Sequence, residues 1–212
     1  MPLPEKVSGL VKRVPFYKDL RQRYDLDRLR RAIAAANPLN VVIGGGQRLY
    51  DGWVFTDKDL LDIANPVSWQ KLFVPNSIDR ILCEHVLEHL SIAECRVALA
   101  QCGLYLRPGG LLRVAVPDSY RRDTAYVAEA APPNAGHQVF YNVDTFTPIL
   151  IQAGFDATPL EYFDRDEQFH AEPWDEREGM IVRSARFDTQ KEFQRGDLHY
   201  TSLIIDARKP HR

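Results

Sequence analysis

Short apolar runs, rich in β-branched residues and bounded by glycine, proline or aspartate, recur along the chain. Runs of this kind predict strands that are buried in a sheet. They occur in the segments LNVVI, GWVFTD, DLLDI, SIDRILC, LLRVAVPD, TPLEYF and HYTSLIIDARK, at residues 39–43, 52–57, 59–63, 77–83, 111–118, 158–163 and 199–209. The third run, DLLDI, predicts a strand that is shorter than most of the others.

Helical patterns separate several of these runs. Ser91 and Glu94 have the spacing of a capping box, so we expect a helix to begin directly after Ser91. The segment DTFTPILIQAGF predicts a capped helix with Pro148 in its first turn and Gly154 just past its end. This alternation predicts an α/β fold with a twisted, mostly parallel sheet and an antiparallel strand near the C-terminus.

The first residues of the chain, 1–37, are predicted to be an N-terminal helical extension. Leu26, Leu29 and Ile33 recur at helical spacing, and Pro38 follows as a stop signal. The outer face of this helix is basic. We expect the helix to serve packing rather than substrate binding.

The remaining residues, 38–212, are predicted to form a single domain. A length of 212 residues, with 45% of them hydrophobic, suits one domain that buries a sizeable core. A polar insert at about 164–198 interrupts it, and the segment MIVRSARF within the insert suggests a small hairpin. Insertions of this length are usually lids, binding loops or disordered segments.

Charge and cysteine content narrow the range of partners and compartments. The formal net charge of -2, without a long run of lysine or arginine, gives no electrostatic reason to expect nucleic acid or an anionic membrane as a partner. The three cysteines are odd in number and lie in apolar segments, which favours a reducing cytoplasm over a disulfide framework. With no apolar stretch long enough to span a bilayer, we expect a soluble, cytoplasmic protein.

Candidate ligand-binding residues follow the predicted strands. Open α/β sheets bind ligands at the carboxyl ends of their strands, where glycines allow close approach and a carboxylate can accept hydrogen bonds from a ribose. The residues in such positions are Gly44, Gly45, Gly46, Asp57, Asp62, Glu84, His85 and Asp118. The stretch between the glycines and Asp57 is too short for a helix that would hold a pyrophosphate. These residues therefore predict a site for a nucleoside that carries no phosphate.

At this point the chain resembles the class I S-adenosylmethionine-dependent methyltransferases, in particular a methyltransferase type 11-like branch. The resemblance covers roughly residues 39–208 and depends most on the segments IDRILCEHVLEHL, LRPGGLLRVAVPD and YTSLIIDARKP. It implies a Rossmann-like class I methyltransferase fold with helices on both faces of the sheet. It also implies S-adenosylmethionine as cofactor and transfer of its methyl group to a small-molecule acceptor.

The resemblance assigns a role to each residue that matches the family pattern. It implies that Gly44, Gly45 and Gly46 border the methionine moiety, that Asp57 binds the ribose, that Asp62 lies near the adenine edge, and that Glu84 and His85 line the wall beside the sulfonium. Two features depart from the family. Val42 stands where the family has an acidic residue, and the helix after the glycines is short or missing.

One stretch, CEHVLEHL, allows a different function. His85 and His89 with Glu88 form the H-x-x-E-H pattern of zinc hydrolases. However, Ser91 restarts the helix two residues after His89, which leaves a single turn at a strand end. We therefore favour the cofactor wall, expect no metal ligands, and expect Glu84 and Glu88 on one side of the turn with His85 and His89 on another.

The acceptor side is the least constrained by the sequence. His137, Tyr141 and Asn142 precede the capped helix, and the insert adds His170, Trp174, Arg183 and Arg186. A histidine that titrates near neutral pH is a natural base for an acceptor hydroxyl or amine, so the candidate catalytic residues are His85 and His137. A binding module that holds the nucleoside without turnover is the alternative function, followed by the zinc hydrolase.

Overall fold

The computed structural model describes residues 15–44, 50–188 and 201–211. Its strands are β1 (Asn40–Ile43), β2 (Trp53–Thr56), β3 (Ile78–Glu84), β4 (Leu106–Val116), β5 (Asp156–Phe163), β6 (Phe169–Ala171) and β7 (Leu203–Arg208). Its helices are α1 (Pro15–Ala35), α2 (Pro66–Gln70), α3 (Ile92–Tyr105), α4 (Thr124–Ala130), α5 (Val143–Gln152) and α6 (Ala185–Asp188). No helix in these ranges is both long and apolar enough to cross a lipid bilayer.

The strands form one seven-stranded sheet in the order β2-β1-β3-β4-β7-β5-β6. The pairings of β1 with β2, of β1 with β3 and of β3 with β4 are parallel, whereas β7 is antiparallel to both of its neighbours. Five strands, β1 to β5, therefore run in the same direction. This topology confirms the predicted α/β, Rossmann-like fold class with an antiparallel C-terminal strand.

The chain leaves β1 toward β2 on one side and returns to β3 on the other side. The strand order therefore reverses between β1 and β3. In an open α/β sheet such a switch point leaves a crevice at the carboxyl ends of the two strands, because the connections diverge there. In open α/β sheets, ligands bind in such a crevice.

Alternating apolar side chains build the larger core on one face of the sheet. Val41, Ile81 and Val114 point to this face and pack with buried residues of α3 and α5, including Leu99 and Phe146. At about 25 cal/mol per Å² of buried apolar surface, this is the dominant favourable term for folding. The larger core therefore positions the parallel strands relative to each other.

The opposite face of the sheet carries a smaller core. Val42, Leu82, Ala115 and Ile204 are buried there, and the described residues that pack on them from outside the sheet are Tyr50, Trp174 and Ile181. Two of these covering residues, Trp174 and Ile181, belong to the long connection between β6 and β7. The described part of that connection, residues 172–188, is therefore packed on the sheet.

A buried arginine fastens the connection to this face. Arg113 of β4 donates two hydrogen bonds to the Asp206 carboxylate, at 2.7 and 2.9 Å, and its Nη1 donates to the carbonyl oxygens of Asp175 and Gly179, each at 2.7 Å. The guanidinium also lies 4.9 Å from the ring centroid of Trp174. Arg113 of β4 therefore binds both β7 and the connection between β6 and β7.

The predicted helix signals are confirmed. Ser91 accepts a hydrogen bond from the Glu94 backbone N–H at 3.3 Å, and the Glu94 carboxylate accepts one from the Ser91 N–H at 2.9 Å. Pro148 lies inside α5, and Gly154 follows its end with a φ of 93°. The helix predicted around Leu29 is also present as α1, and Leu29 is buried in the larger core. The division at residue 37 stays a prediction.

Two predicted local structures are wrong. Residues 59–63 form turns rather than a strand, because the backbone N–H groups of Leu60 and Leu61 donate to the carbonyl oxygen of Asp57. Residues 180–187 form no hairpin, because two of their N–H groups donate to carboxylates elsewhere, Arg183 to Glu84 and Ala185 to Glu161. A local turn partner takes the hydrogen bonds in the first segment, and distant carboxylates take them in the second.

Candidate functional site

The end of β1 meets the end of β2 at Gly44. The Gly44 N–H donates to the carbonyl oxygen of Thr56 at 3.1 Å, and Asp57 follows directly. Gly44 has a φ of 68°, a conformation that is strained for other residues. The predicted ligand-binding residues Gly45 and Gly46 lie outside the described residues.

The absence of a side chain at Gly44 also serves packing. A Cβ atom at this position would lie 2.4 Å from Cγ2 of Val86, so the glycine lets the segment after β3 approach the segment after β1. This contact joins the two sides of the switch point. The sequence predicted Gly44 only as a place for close approach of a ligand, and its contact with Val86 is a second reason for glycine.

Two predicted carboxylates lie beside this point and are exposed. Oδ1 of Asp57 accepts hydrogen bonds from the N–H groups of Asp59 and Leu60, each at 3.1 Å, so this oxygen caps a turn. Oδ1 of Asp62 accepts from the N–H of Ala64 at 3.2 Å in a similar turn. Oδ1 of each carboxylate therefore has a structural role in a turn.

A groove of about 910 Å³ runs beside Asp57, between α1 and β2. It has charged, apolar and aromatic walls, among them Arg28, Leu29, Trp53 and Phe55. Its volume falls within the range of about 300–1,000 Å³ that small-molecule sites occupy. Asp57 is therefore placed both at a strand end and on the wall of a groove of suitable size.

Val42, the departure from the family pattern, is buried in the smaller core on the second face. Its neighbours there are apolar, with Leu82 and Ala115 on the adjoining strands. A carboxylate at this position would have to leave that core to reach a ligand. A valine at this position therefore matches the apolar residues that surround it on this face.

Glu84 ends β3 and is held by the long connection. Its Oε1 accepts a hydrogen bond from the N–H of Arg183 at 2.9 Å, and the carbonyl oxygen of Arg183 accepts one from Ser202 at 3.0 Å. The connection therefore crosses the carboxyl end of β3 before the chain enters β7. This contact fixes one of the two residues that were predicted to form the cofactor wall.

His85, the second wall residue, is also held in place. It has a φ of 56°, its N–H donates to the carbonyl oxygen of Ala115 at 2.9 Å, and its Nε2 is 2.7 Å from Oγ of Ser202. Burial lowers the pKa of His85 well below its ordinary value, and the positive charge of Arg183 lowers it further. The imidazole is therefore neutral at neutral pH, in a backbone conformation that its surroundings enforce.

The sequence predicted that Glu88 lies on the same side of the turn as Glu84, but Glu88 points into the protein. Its side chain is 0% exposed, because the turn over Leu87–His89 directs it inward beside Leu87. Nδ1 of His85 lies 3.0 Å from its Oε1, but this contact lacks hydrogen-bond geometry, and neither carboxylate oxygen has a hydrogen-bond partner among the described residues. Burial raises the pKa of Glu88 to about 7.

His89 and His137 meet next to Glu88. The two imidazole rings are 4.8 Å apart, and Nε2 of His137 is 4.0 Å from Oε1 of Glu88. Nδ1 of His137 is 2.7 Å from the carbonyl oxygen of Ala130, and Nδ1 of His89 is 3.2 Å from that of Gly136. No sequence pattern signals this arrangement, because the loop that carries His137 reaches Glu88 only in the fold.

The H-x-x-E-H pattern is therefore divided between two neighbourhoods. Nε2 of His85 contacts Ser202, whereas Glu88 and His89 form a group with His137. The zinc hydrolase needs both histidines of the pattern on the same metal ion, and His85 is not a member of that group. The predicted single turn before Ser91 is confirmed, as a 3-10 turn over Leu87–His89.

Most other candidates for the acceptor side have structural partners. Asn142 caps α5 by accepting a hydrogen bond from the N–H of Thr145 at 3.0 Å, and Tyr141 is buried in the larger core. Asp118 is buried and accepts hydrogen bonds from the N–H groups of Tyr120 and Phe163, at 3.0 and 2.8 Å. These three residues therefore have structural roles in and around the loops that follow β4.

The candidates from the insert lie in different places. His170 is on β6, four strands away from β3 in the sheet, and pairs with Asp164 at 2.7 Å. Trp174 covers the second face and donates to Glu161 at 2.8 Å, and Arg186 pairs with Glu176. Arg183 is the member of this set that reaches the predicted cofactor wall, through its backbone.

Comparisons with known proteins find similarity at the level of structure alone. No family model matches the chain, and no curated protein matches it. A SAM-dependent methyltransferase from Archaeoglobus fulgidus is 15% identical, with 92% of this chain and 98% of that chain covered and a TM-score of 0.49.

Two further solved structures are similar at the same level. For a SAM-dependent methyltransferase from Methanosarcina mazei the identity is 11%, the coverage is 84% and 86%, and the TM-score is 0.45. For the Burkholderia thailandensis 1,6-didemethyltoxoflavin-N1-methyltransferase, solved with bound 1,6-didemethyltoxoflavin and S-adenosylhomocysteine, the identity is 18%, the coverage is 99% and 92%, and the TM-score is 0.46. The fold assignment depends on the strand order.

Proposed function

We propose that the protein transfers a methyl group from S-adenosylmethionine to a small-molecule acceptor. The observation that carries this proposal is the convergence of Gly44, Asp57 and the Glu84–His85 pair at the switch point between β1 and β3. A ligand in this crevice contacts the ends of three neighbouring strands. The resemblance of the sequence to class I methyltransferases supports the same cofactor.

The residues at the switch point fit a nucleoside that carries no phosphate. Only residues 44–52 separate β1 from β2, which is too few for a helix of several turns whose N-terminus would neutralise a pyrophosphate. Asp57 offers a carboxylate oxygen to ribose hydroxyls, and the adjoining groove has the volume for a nucleoside. Asp62 is the proposed neighbour of the adenine edge, and Gly44 with Gly45 and Gly46 would border the methionine moiety.

S-adenosylmethionine supplies an electrophilic methyl group on its sulfonium when it is bound. The protein's contribution to such a displacement is chiefly to hold the two reactants in line. Glu84 and His85 suit this task, because bonds to Arg183 and Ser202 fix them before any ligand arrives. A preformed wall of this kind lowers the entropic cost of positioning.

The catalytic roles of His85 and His137 remain proposals. His85 is neutral at neutral pH, because its pKa is lowered by burial, so it can accept a proton from an acceptor group. His137 lies beyond the wall, next to Glu88. The acceptor atom, oxygen, nitrogen or carbon, does not follow from this geometry.

The test of the proposed function is calorimetric binding of S-adenosylhomocysteine to the wild type and to Asp57→Asn. This substitution keeps an oxygen that can cap the turn at Asp59 and Leu60, and it removes the charge. Loss of a hydrogen bond to a charged group costs ~1.5–3 kcal/mol, so we expect affinity to fall by about 10-fold to 150-fold. The control is Asp59→Asn, which neutralises another carboxylate on the same groove.

Equal affinity of the wild type and Asp57→Asn would remove the ribose assignment. A transfer assay with isotopically labelled methyl donor and a panel of small acceptors then separates the two remaining functions. Transfer to any member supports the enzyme. Tight binding without transfer to any of them would favour the alternative function, a module that binds the nucleoside without turnover. The observation that supports this alternative is the valine at position 42, where the family has an acidic residue.

A further inference from the structure

Three potential metal ligands meet just beyond the carboxyl end of β3. Glu88 and His89 belong to the turn after this strand, and His137 belongs to the loop after α4. Each residue has a ligand atom within 4.8 Å of a ligand atom of the other two. The two segments are also joined by backbone hydrogen bonds, since the N–H groups of Gln138 and Val139 donate to the Glu88 carbonyl oxygen at 2.7 and 3.2 Å.

Backbone carbonyl oxygens hold both imidazoles. Their Nδ1 atoms face backbone carbonyl oxygens, that of Ala130 for His137 and that of Gly136 for His89. A carbonyl oxygen can only accept, so each Nδ1 carries the hydrogen and each neutral Nε2 keeps its lone pair. Hydrogen bonds of this kind to carbonyl groups are the usual means by which proteins fix the tautomer and the ring of a ligating histidine.

The carboxylate of Glu88 is an independent sign of a ligand. The side chain is 0% exposed, and neither of its oxygens has a hydrogen-bond partner among the residues that the structure describes. A buried carboxylate without donors is costly, and such groups in native proteins are usually explained by a bound ion, a water molecule or a functional role. Its Oε1 lies 3.0 Å from Nδ1 of His85, without hydrogen-bond geometry, and 4.0 Å from Nε2 of His137.

We propose that Glu88, His89 and His137 bind a divalent transition-metal ion of the zinc class. Two imidazoles and one carboxylate favour zinc, cobalt or nickel over magnesium and calcium, which prefer oxygen ligands alone. Ligand atoms around a tetrahedral zinc ion lie about 3.4 Å apart, as follows from bond lengths of ~2.1 Å. The three side chains reach this arrangement by closing their separations, which are at most 4.8 Å, by up to about 1.4 Å.

The environment allows the ion to enter and to keep a fourth ligand. His89 is exposed, so the group is open to solvent on one side, while Glu88 and His137 form a buried wall on the other. Three protein ligands leave one tetrahedral position for a water molecule or another small ligand. The site departs from our sequence-based expectation that the chain holds no metal. It combines two residues of the H-x-x-E-H pattern, Glu88 and His89, with His137 from outside the pattern.

The test is metal binding by the purified full chain after treatment with a chelator. Zn²⁺ is titrated by calorimetry and counted by elemental analysis after dialysis, and Co²⁺ is titrated by its visible absorption, which is strong in tetrahedral sites. The variants are His89→Ala, His137→Ala and Glu88→Gln. The control is His170→Ala, which removes a histidine from another histidine–carboxylate pair, on β6.

We expect one ion per chain in the wild type and in His170→Ala, with affinity at least about 100-fold weaker in each variant of the cluster. Failure of the wild type to bind either ion, or unchanged affinity in His89→Ala, overturns the proposal. His89 is exposed, so this variant is expected to fold even where His137→Ala does not, and circular dichroism checks it. Binding of S-adenosylhomocysteine to the metal-free protein is measured separately, so this result is independent of the proposed function.

Discussion

Replacing Arg113 by methionine tests how the long connection is held on the sheet. The guanidinium is 0% exposed, and it donates to the Asp206 carboxylate and to the carbonyl oxygens of Asp175 and Gly179. Methionine keeps much of the apolar contact of the side chain but provides no donor. The substitution therefore leaves a buried carboxylate without its cation and leaves two carbonyl oxygens without this donor.

The expected cost follows from the burial of the pair. Removing one partner of a buried ion pair costs ~3–5 kcal/mol, chiefly because the remaining charge stays in a poorly solvated place. The matched control is Arg107→Met, since Arg107 pairs with Asp79 at the same 2.7 Å but with 56% of its side chain exposed. An exposed pair contributes ~0–1 kcal/mol, so the two variants should differ by about 3 kcal/mol.

Urea unfolding, followed by circular dichroism and by tryptophan fluorescence, measures both variants. Trp174 lies over the Arg113 guanidinium, so its emission reports local loosening of the connection. A cost below about 1 kcal/mol for Arg113→Met, or a cost equal to that of Arg107→Met, would refute the reasoning. The double variant Arg113→Met with Asp206→Leu should recover much of the loss, because no buried charge is then left unpaired.

Two further predictions concern single residues. Gly44→Ala should destabilise the protein by about 1–3 kcal/mol more than Gly52→Ala in thermal or urea unfolding, because both residues have positive φ but only a Cβ at Gly44 would collide with Val86. Equal costs of the two substitutions would contradict this reasoning. Adding Val86→Ala to Gly44→Ala should recover only the part of the cost that comes from the collision. Burial raises the pKa of Asp118 from 3.8 to about 6, so the folded state binds the proton more tightly. This group should therefore lower the free energy of unfolding by up to about 3 kcal/mol as the pH rises from ~4 to ~6. Urea midpoints of the wild type and of Asp118→Asn are compared at pH 4.5 and at pH 7. The free energy of unfolding of the wild type, relative to that of the variant, should be lower at pH 7. A difference between the two proteins that does not change with pH would contradict the raised pKa of Asp118.

Local signals in the sequence were enough for most of the strands and for the helices α1, α3 and α5. The capping box at Ser91 and the Pro148–Gly154 pair act within a few residues, so the chain alone specifies where α3 begins and where α5 lies. Apolar alternation likewise identified the parallel strands, because each strand shows its buried faces within a few residues. The failures were at residues 59–63 and 180–187, where distant or capping partners take the backbone hydrogen bonds.

The positions of the candidate site residues could also be predicted only in part from the sequence. Strand ends are visible in the sequence, so Gly44, Asp57 and Glu84 were predicted to lie at one edge of the sheet, and they do. The inward position of Glu88 was not predicted, because one irregular turn decides which side of the chain faces the core. A strict helical or strand period does not apply to a turn of this kind.

The sequence by itself determined the α/β alternation, the strand ends and the nucleoside-type pattern of glycines and carboxylates, since each of these depends on neighbouring residues. Only the tertiary structure decided that His137 meets Glu88 and His89, and that Arg113 holds the connection across the second face. These contacts join loops and strands that are distant along the chain. Their geometry is set by how the loops close over the packed sheet, which no local pattern of residues encodes.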